Sequence, residues 1–290
     1  MLRREFIAGL GSAVAWSLAA RAQQLAVPVI GYLGAQPAHE DYQIVTVSFL
    51  QGLKETDYVV GQNVAIEYRF AENQYDRLPT LAADLVRRRV AAIVAIGTPA
   101  ALAAKAATTT IPIVFNTGGD PVALGLIASL NRPGANLTGS AVLEVELEPK
   151  RLQLLRDLMP NAATFGVLVD PAFPSTPSLI AGLRAAARTL RLELVAVNAR
   201  TDSDLETAFA TFSQRRVGAV LVGISTLYPR RMDQLGALAL RYGLPAIFPY
   251  REFVLAGGLM SYGANFGYGY HQAGIYIGRI LKGERSAFAA

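Results

Sequence analysis

From residue 27 to residue 257, short apolar runs alternate with longer segments of helical periodicity, and this alternation restricts the fold more than any other feature. Apolar or alternating runs at 27–34, 63–70, 90–97 and 111–115 are each followed by a turn and a helix-like stretch, and "NLTGSAV" closes the set. The order then restarts with the helical "EPKRLQLLRDLM", and further apolar runs follow at 164–170, "LELVAVN", "GAVLVGI" and "LPAIF". Strands separated by helices of ten or more residues form parallel sheets. Strands apolar throughout their length are covered on both faces. Three local expectations follow. A helix across "YQIVTVSFLQGLKET" buries Ile44, Val47, Leu50 and Leu53; Thr98 caps the helix of "TPAALAAKAATT"; and "PVALGLIASL" is helical.

The two halves echo each other. Residues 91–102 resemble 218–228, and residues 110–125 resemble 243–258, each pair in the order strand, turn, helix. The expected architecture is α/β: two similar doubly wound parallel-sheet lobes with a ligand cleft between them. The boundaries are an export segment at 1–22, an N-terminal lobe at 27–141, a C-terminal lobe at 142–257, and a crossover with a terminal helix at 258–290. Doubly wound sheets bind ligands beyond the carboxyl ends of their strands. Two lobes facing each other would close on a small ligand about a hinge.

Residues 1–22 have a basic start (Arg3, Arg4), an apolar stretch from Phe6 to Ala20 and the small-x-small end Ala20-Arg21-Ala22. This is the pattern of a secretory signal cleaved before Gln23, with partial likeness to a twin-arginine signal. The expected location is the periplasm, as a free soluble monomer. The chain has no cysteine, which excludes disulfides and a lipid-anchored N-terminus. The formal charge of +5 falls to +3 without residues 1–22, and no basic run of nucleic-acid-binding length exists, so no nucleic-acid partner is expected.

The candidate site residues lie at strand ends. In "VFNTGGDPVALG", Gly118 and Gly119 permit close backbone approach, and Asp120 either holds a cation in the cleft or caps the helix begun by Pro121. In "GTPAA", Gly97, Thr98, Pro99 and Ala100 open a helix whose N-terminus either seats an anion or is an ordinary cap. Together they suit a zwitterion. Asp170, Ser225 and Thr226 hold equivalent positions in the second half, and Tyr32, Phe173, Tyr228 and Tyr262 are candidate aromatic walls. Catalytic and metal motifs do not appear: His39 and His271 stand far apart in sequence, and no metalloprotease, nucleophile-elbow or phosphate-loop pattern occurs. No cofactor, catalytic residue or metal site is expected, and Glu144, Glu146 and Glu148 read as a solvated acidic stretch.

Long blocks, among them "GQNVAIEYRFAENQYDRLPTLAADLVRRRVAAIVAIGTPAALAAKAATTTIPIVF", "GGDPVALGLIASLNRPGANLTG", "REFVLAGGLMSYG" and "HQAGIYIGRILKG", resemble the ABC transporter substrate-binding family that includes tryptophan- and tyrosine-binding members. These are type I periplasmic binding proteins. The resemblance covers nearly all of 27–283. It implies a protein that captures a small ligand and passes it to ABC permease subunits in the membrane. The resemblance alone, and no pattern in these residues, implies a return of the chain to the first lobe after about residue 258. Relatives continue past "GRILKG", so the C-terminus at "ERSAFAA" is expected to be short. The same cleft would also serve a sensor that presents its closed form to a membrane receptor, or an enzyme, for which an acid–base pair is lacking.

Overall fold

The structure, a computed structural model, describes residues 27–37, 43–131, 134 and 136–284. The export segment and His39 lie outside the described residues. The first sheet contains β1 (Val29–Gly34), β2 (Ala65–Phe70), β3 (Ala92–Ile96), β4 (Ile113–Thr117) and β5 (Leu137–Ala141). Its order is β2-β1-β3-β4-β5, parallel throughout. The second contains β6 (Thr164–Val169), β7 (Glu193–Asn198), β8 (Val220–Val222), β9 (Ala246–Phe248) and β10 (Met260–Ser261), in the order β10-β9-β8-β6-β7. Numbered from its own first strand, this is the order of the first sheet. The echo between 91–102 and 218–228 pairs β3 with β8, and the echo between 110–125 and 243–258 pairs β4 with β9.

The helices are α1 (Gln43–Lys54), α2 (Leu78–Arg87), α3 (Thr98–Ala107), α4 (Glu144–Leu158), α5 (Thr176–Leu190), α6 (Asp202–Gln214), α7 (Met232–Arg241), α8 (Arg251–Leu255) and α9 (Tyr268–Leu281). Two of them change sides. After β5 the chain enters α4, which packs on α5 and on β8 and β9 of the second sheet. After β10 it enters α9, which lies along α1 and on β3, β4 and β5 of the first. Each sheet therefore has apolar cores on both faces, one closed by a helix arriving from the other half. The central strands β3, β4, β8 and β9 are buried at every residue, as the unbroken hydrophobicity of "AIVAI" in β3 requires, whereas the edge strands β2 and β7 are partly exposed.

The α1–α9 contact is unusually close. A Cβ on Gly52 would stand within contact-breaking range of the His271 carbonyl, and one on Gly274 would meet the Phe49 carbonyl and the Leu53 amide. Phe49 and Leu53 are fully buried against Ala273 and Ile277, and burial of each large side chain contributes about 1.5–3 kcal/mol. The buried face of α1 thus runs through Phe49 and Leu53. Val47, expected to be buried, is 59% exposed.

Two local expectations are corrected. Residues 121–130 form turns in place of a helix. Gly125 takes φ 67°, and the amides of Leu126 and Ile127 both return to the Pro121 carbonyl, so the first turn is not propagated. Gly97, with φ 86°, holds the cap position of α3, which places Thr98 in the first turn with its hydroxyl on Thr117 Oγ1 at 2.6 Å.

Candidate functional site

A cleft holding about 660 Å³ of atom-free space, open solvent included, lies between the carboxyl ends of the two sheets. The first sheet contributes Gln36 beyond β1, Ile96 and Gly97 at the end of β3, and Asn116 and Gly118 at the end of β4. The second contributes Phe173 beyond β6 and Ile224, Ser225 and Thr226 beyond β8. Tyr250, Phe266 and Tyr270 form a continuous aromatic wall, with ring centroids 4.6 Å apart for Tyr250–Phe266 and 5.5 Å for Phe266–Tyr270. None of the described lining residues is charged. A charged ligand group must therefore be met by amides, hydroxyls and the backbone of a helix start.

The glycines of "GGDP" make room for approach between elements. Gly118 faces Glu144 Cγ and, from the second half, Ile224 Cδ1, while a Cβ on Gly119 would crowd Ser175 Oγ at 2.7 Å. Asp120 does not line the cavity. Its Oδ1 accepts the Val122 amide at 2.8 Å, the local cap that Asp–Pro sequences favour, and Pro121 is buried at the start of that turn. Thr98, Pro99 and Ala100 are buried in the first turn of α3, and only Gly97 of that group reaches the cavity wall.

In the second half, Ser225 and Thr226 line the cavity, and Asp170 stands behind them, buried. Asp170 Oδ2 accepts from the Ser225 hydroxyl at 3.1 Å and from the Tyr75 hydroxyl at 2.8 Å, and its Oδ1 accepts the Ala172 amide at 3.0 Å. Arg200 Nε lies 3.6 Å from Oδ1. Among the aromatic candidates, Phe173 lines the cavity. Tyr32 is a core residue beneath it, packed on Phe49 and Phe70, and reached at its hydroxyl by the amide of the lining Gln36. Tyr228 is also core, donating to the Ala199 carbonyl. Tyr262 is partly exposed, and its carbonyl accepts from Arg151. Gln36, Asn116, Tyr250, Asn265, Phe266 and Tyr270 were not singled out by the sequence reading. For Gln36, Asn116 and Tyr250 the signal was present, since all three sit at or just beyond strand ends. The rest depend on how the chain returns to the first sheet.

Behind the cavity two members of the acidic stretch prove to be core, while Glu146 is exposed as expected. Glu144, Glu148 and Arg151 are fully buried, where solvated carboxylates were expected. Arg151 donates to Glu144 Oε2 at 2.9 Å, to Glu148 Oε1 at 2.7 Å and to the Tyr262 carbonyl at 2.6 Å. It thereby ties the start of α4, where the chain leaves the first half, to the segment by which it goes back. One guanidinium cannot neutralise two carboxylates. Burial first, opposed by Arg151 and reinforced by Glu144, raises Glu148 to about 8, and burial raises Glu144 as well. The folded protein thus holds a proton on Glu148 that the unfolded chain releases near pH 4.5. The stability from this proton is complete below about pH 4.5 and is lost as pH rises through about 8. The melting temperature should fall between pH 6.5 and pH 9, and Glu148→Gln should flatten that fall. An equally steep decline in the variant would exclude Glu148 as its source.

Residues 35–287 match the sequence profile of the ABC transporter substrate binding proteins. The chain belongs to this family. The substrate-binding protein is 27% identical over 237 residues to the tyrosine-binding protein of Clostridioides difficile (strain R20291), covering 81% of this chain and 68% of that one. Its fold matches a conserved domain protein from Vibrio cholerae with a TM-score of 0.79 at 24% identity, over 90% of this chain and 87% of that one. It also matches the ABC domain in complex with L-Trp from Streptococcus pneumoniae with a TM-score of 0.75 at 22% identity, over 90% and 86% of the two chains. The two-lobed type I periplasmic-binding-protein architecture expected from the resemblance is therefore the fold of this substrate-binding protein. Among its described residues no helix is long and apolar enough to cross a membrane.

Proposed function

We propose that the protein captures an aromatic amino acid outside the cytoplasm and delivers it to the permease of an ABC importer. The observation that carries this reading is the uncharged cavity walled by Tyr250, Phe266, Tyr270 and Phe173. Aromatic rings pack favourably against one another in offset and edge-to-face arrangements, with a gain of about 0.5–1.5 kcal/mol per pair beyond burial. The ligand carboxylate is assigned to the start of α3 at Gly97, where a helix N-terminus presents amide donors and the positive end of its dipole. The ammonium is assigned to the side-chain oxygens of Asn116, Gln36, Ser225 and Thr226, all of which line the cavity. Asp120 keeps its local role as a cap. The names of the tyrosine-binding relative and of the L-Trp complex agree with this class. The signal pattern at residues 1–22 supports export.

The test is a thermal-shift series with L-tryptophan, L-tyrosine, L-leucine, tryptamine and indole-3-propionate. A ligand at one hundred times its dissociation constant adds about 2.7 kcal/mol of stability. The expected result is a clear rise with an aromatic amino acid and a smaller one with either analogue lacking a charged group. If none of the five moves the melting temperature, the aromatic-amino-acid reading falls.

A further inference from the structure

Tyr75 belongs to no sequence motif, yet its side chain packs against cores of both lobes, as Tyr250 does on the opposite faces of the two sheets. It touches the cluster between the first sheet and α2–α3, and the cluster between the second sheet and α4–α5. It stands just after a turn in which Glu72 and Asn73 both take left-handed backbone angles, φ 56° and 59°. Such angles are rare outside glycine and least costly for Asn and Asp. The turn carries Tyr75 away from the end of β2 and across to the second lobe. There its hydroxyl lies 2.8 Å from Asp170 Oδ2 and 2.9 Å from Thr226 Oγ1, and Arg200 lies over its ring at 5.8 Å. Asn73 Oδ1, from the same turn, accepts from Thr226 Oγ1 at 3.2 Å.

The proton count fixes who donates. A carboxylate only accepts, and a phenol has one proton. Burial first, then the charge of Asp170, push the Tyr75 hydroxyl well above its ordinary range, so that proton is retained. It goes to Asp170. The Thr226 hydroxyl then donates to Tyr75 or to Asn73, and the Ser225 hydroxyl to Asp170. The Ser225 and Thr226 hydroxyls that the second lobe presents to the cavity therefore have their protons committed, and toward a ligand they act as acceptors. For Thr226 the committing groups come from the opposite lobe.

We propose that Tyr75 is a positioning residue that couples lobe closure to completion of the site: docking its hydroxyl between Asp170 and Thr226 sets the second lobe's half of the cavity and holds the lobes together around the ligand. The ligand part of this statement rests on the proposed function; the contact between lobes does not.

Tyr75→Phe keeps the ring and deletes only the hydroxyl. A hydrogen bond to a charged group corresponds to a factor of about ten to one hundred in an equilibrium constant. In stopped-flow measurements with L-tryptophan, the dissociation rate should rise about tenfold or more, with the association rate within about twofold of wild type. Adding Thr226→Val to Tyr75→Phe should raise the dissociation rate by less than the product of the two single effects. An unchanged dissociation rate overturns the proposal, and so does an affinity loss carried wholly by slower association. If neither L-tryptophan nor L-tyrosine binds wild type, the proposed function has failed and the coupling is judged by small-angle scattering. Tyr75→Phe must then show a larger radius of gyration than wild type, and an equal radius overturns the proposal.

Discussion

Replacing Arg151 by methionine is expected to destabilise the protein by about 3–5 kcal/mol, the usual cost of removing one partner from a buried ion pair. The guanidinium makes three hydrogen bonds, and the groups it leaves behind include two fully buried carboxylates. Glu148 already holds a proton below about pH 8, and without the cation Glu144 must take one up as well, so the variant should regain stability as the medium is acidified from pH 7.5 to pH 5. Urea unfolding at the two pH values measures this. Converting Glu144 and Glu148 to glutamine in the same chain should recover much of the loss at pH 7.5, because the desolvated charge is then gone. If Arg151→Met unfolds at the wild-type urea concentration at pH 7.5, the triad does not hold the two connections between the lobes.

The second large effect is expected from Gly274→Val. A side chain at this position meets the backbone of α1 from the Phe49 carbonyl to the Leu53 amide, and neither can yield without moving the helix. Overpacking of a tight site costs about 1–3 kcal/mol, and more where backbone is the obstacle. The consequence extends to the cavity, because α9 also carries Tyr270 into the aromatic wall. The variant should therefore melt lower and lose most of its thermal response to L-tryptophan. Gly182→Val, within α5, is a matched control for stability, since nothing lies near a Cβ there and its backbone is helical like that of Gly274. A Gly274→Val protein with wild-type melting and response would show that the α1–α9 approach can relax.

Much of the fold was legible because buried parallel strands announce themselves. "AIVAI" and "GVLV" have no polar side to mislead a reader, and the helices between them are long enough to force parallel pairing. The strand-end rule then located Gly97, Ser225 and Thr226 at the cavity. Asp120 shows where that rule stops. A residue may stand just past a strand and still spend its carboxylate on the amide two positions on, and sequence holds no record of which way it turns. Glu144 and Glu148 show a second limit. Their spacing from Arg151 is visible, but the burial that converts a solvated face into a charged core comes from packing of α4 on α5, β8 and β9, and the third acceptor of Arg151 is the Tyr262 carbonyl, more than a hundred residues away. Tyr75 is a third case: its partners are Asp170 and Thr226, and nothing in "AENQYD" points to either.

The exchange of α4 and α9 between sheets bears on the order in which the polypeptide can become native during synthesis. Domains generally fold as units and in the order in which they leave the ribosome. Here the second lobe has its full complement of strands and helices once residue 261 has emerged, whereas the first lobe, begun earlier, waits for Tyr268–Leu281 to cover one face of its sheet. The lobe translated first is the lobe completed last. Until then the surface of Ile30, Val94 and Val114 has no α9 against it, and a nascent chain stalled before residue 268 is expected to bind hydrophobic dyes and holdase chaperones that the finished protein ignores.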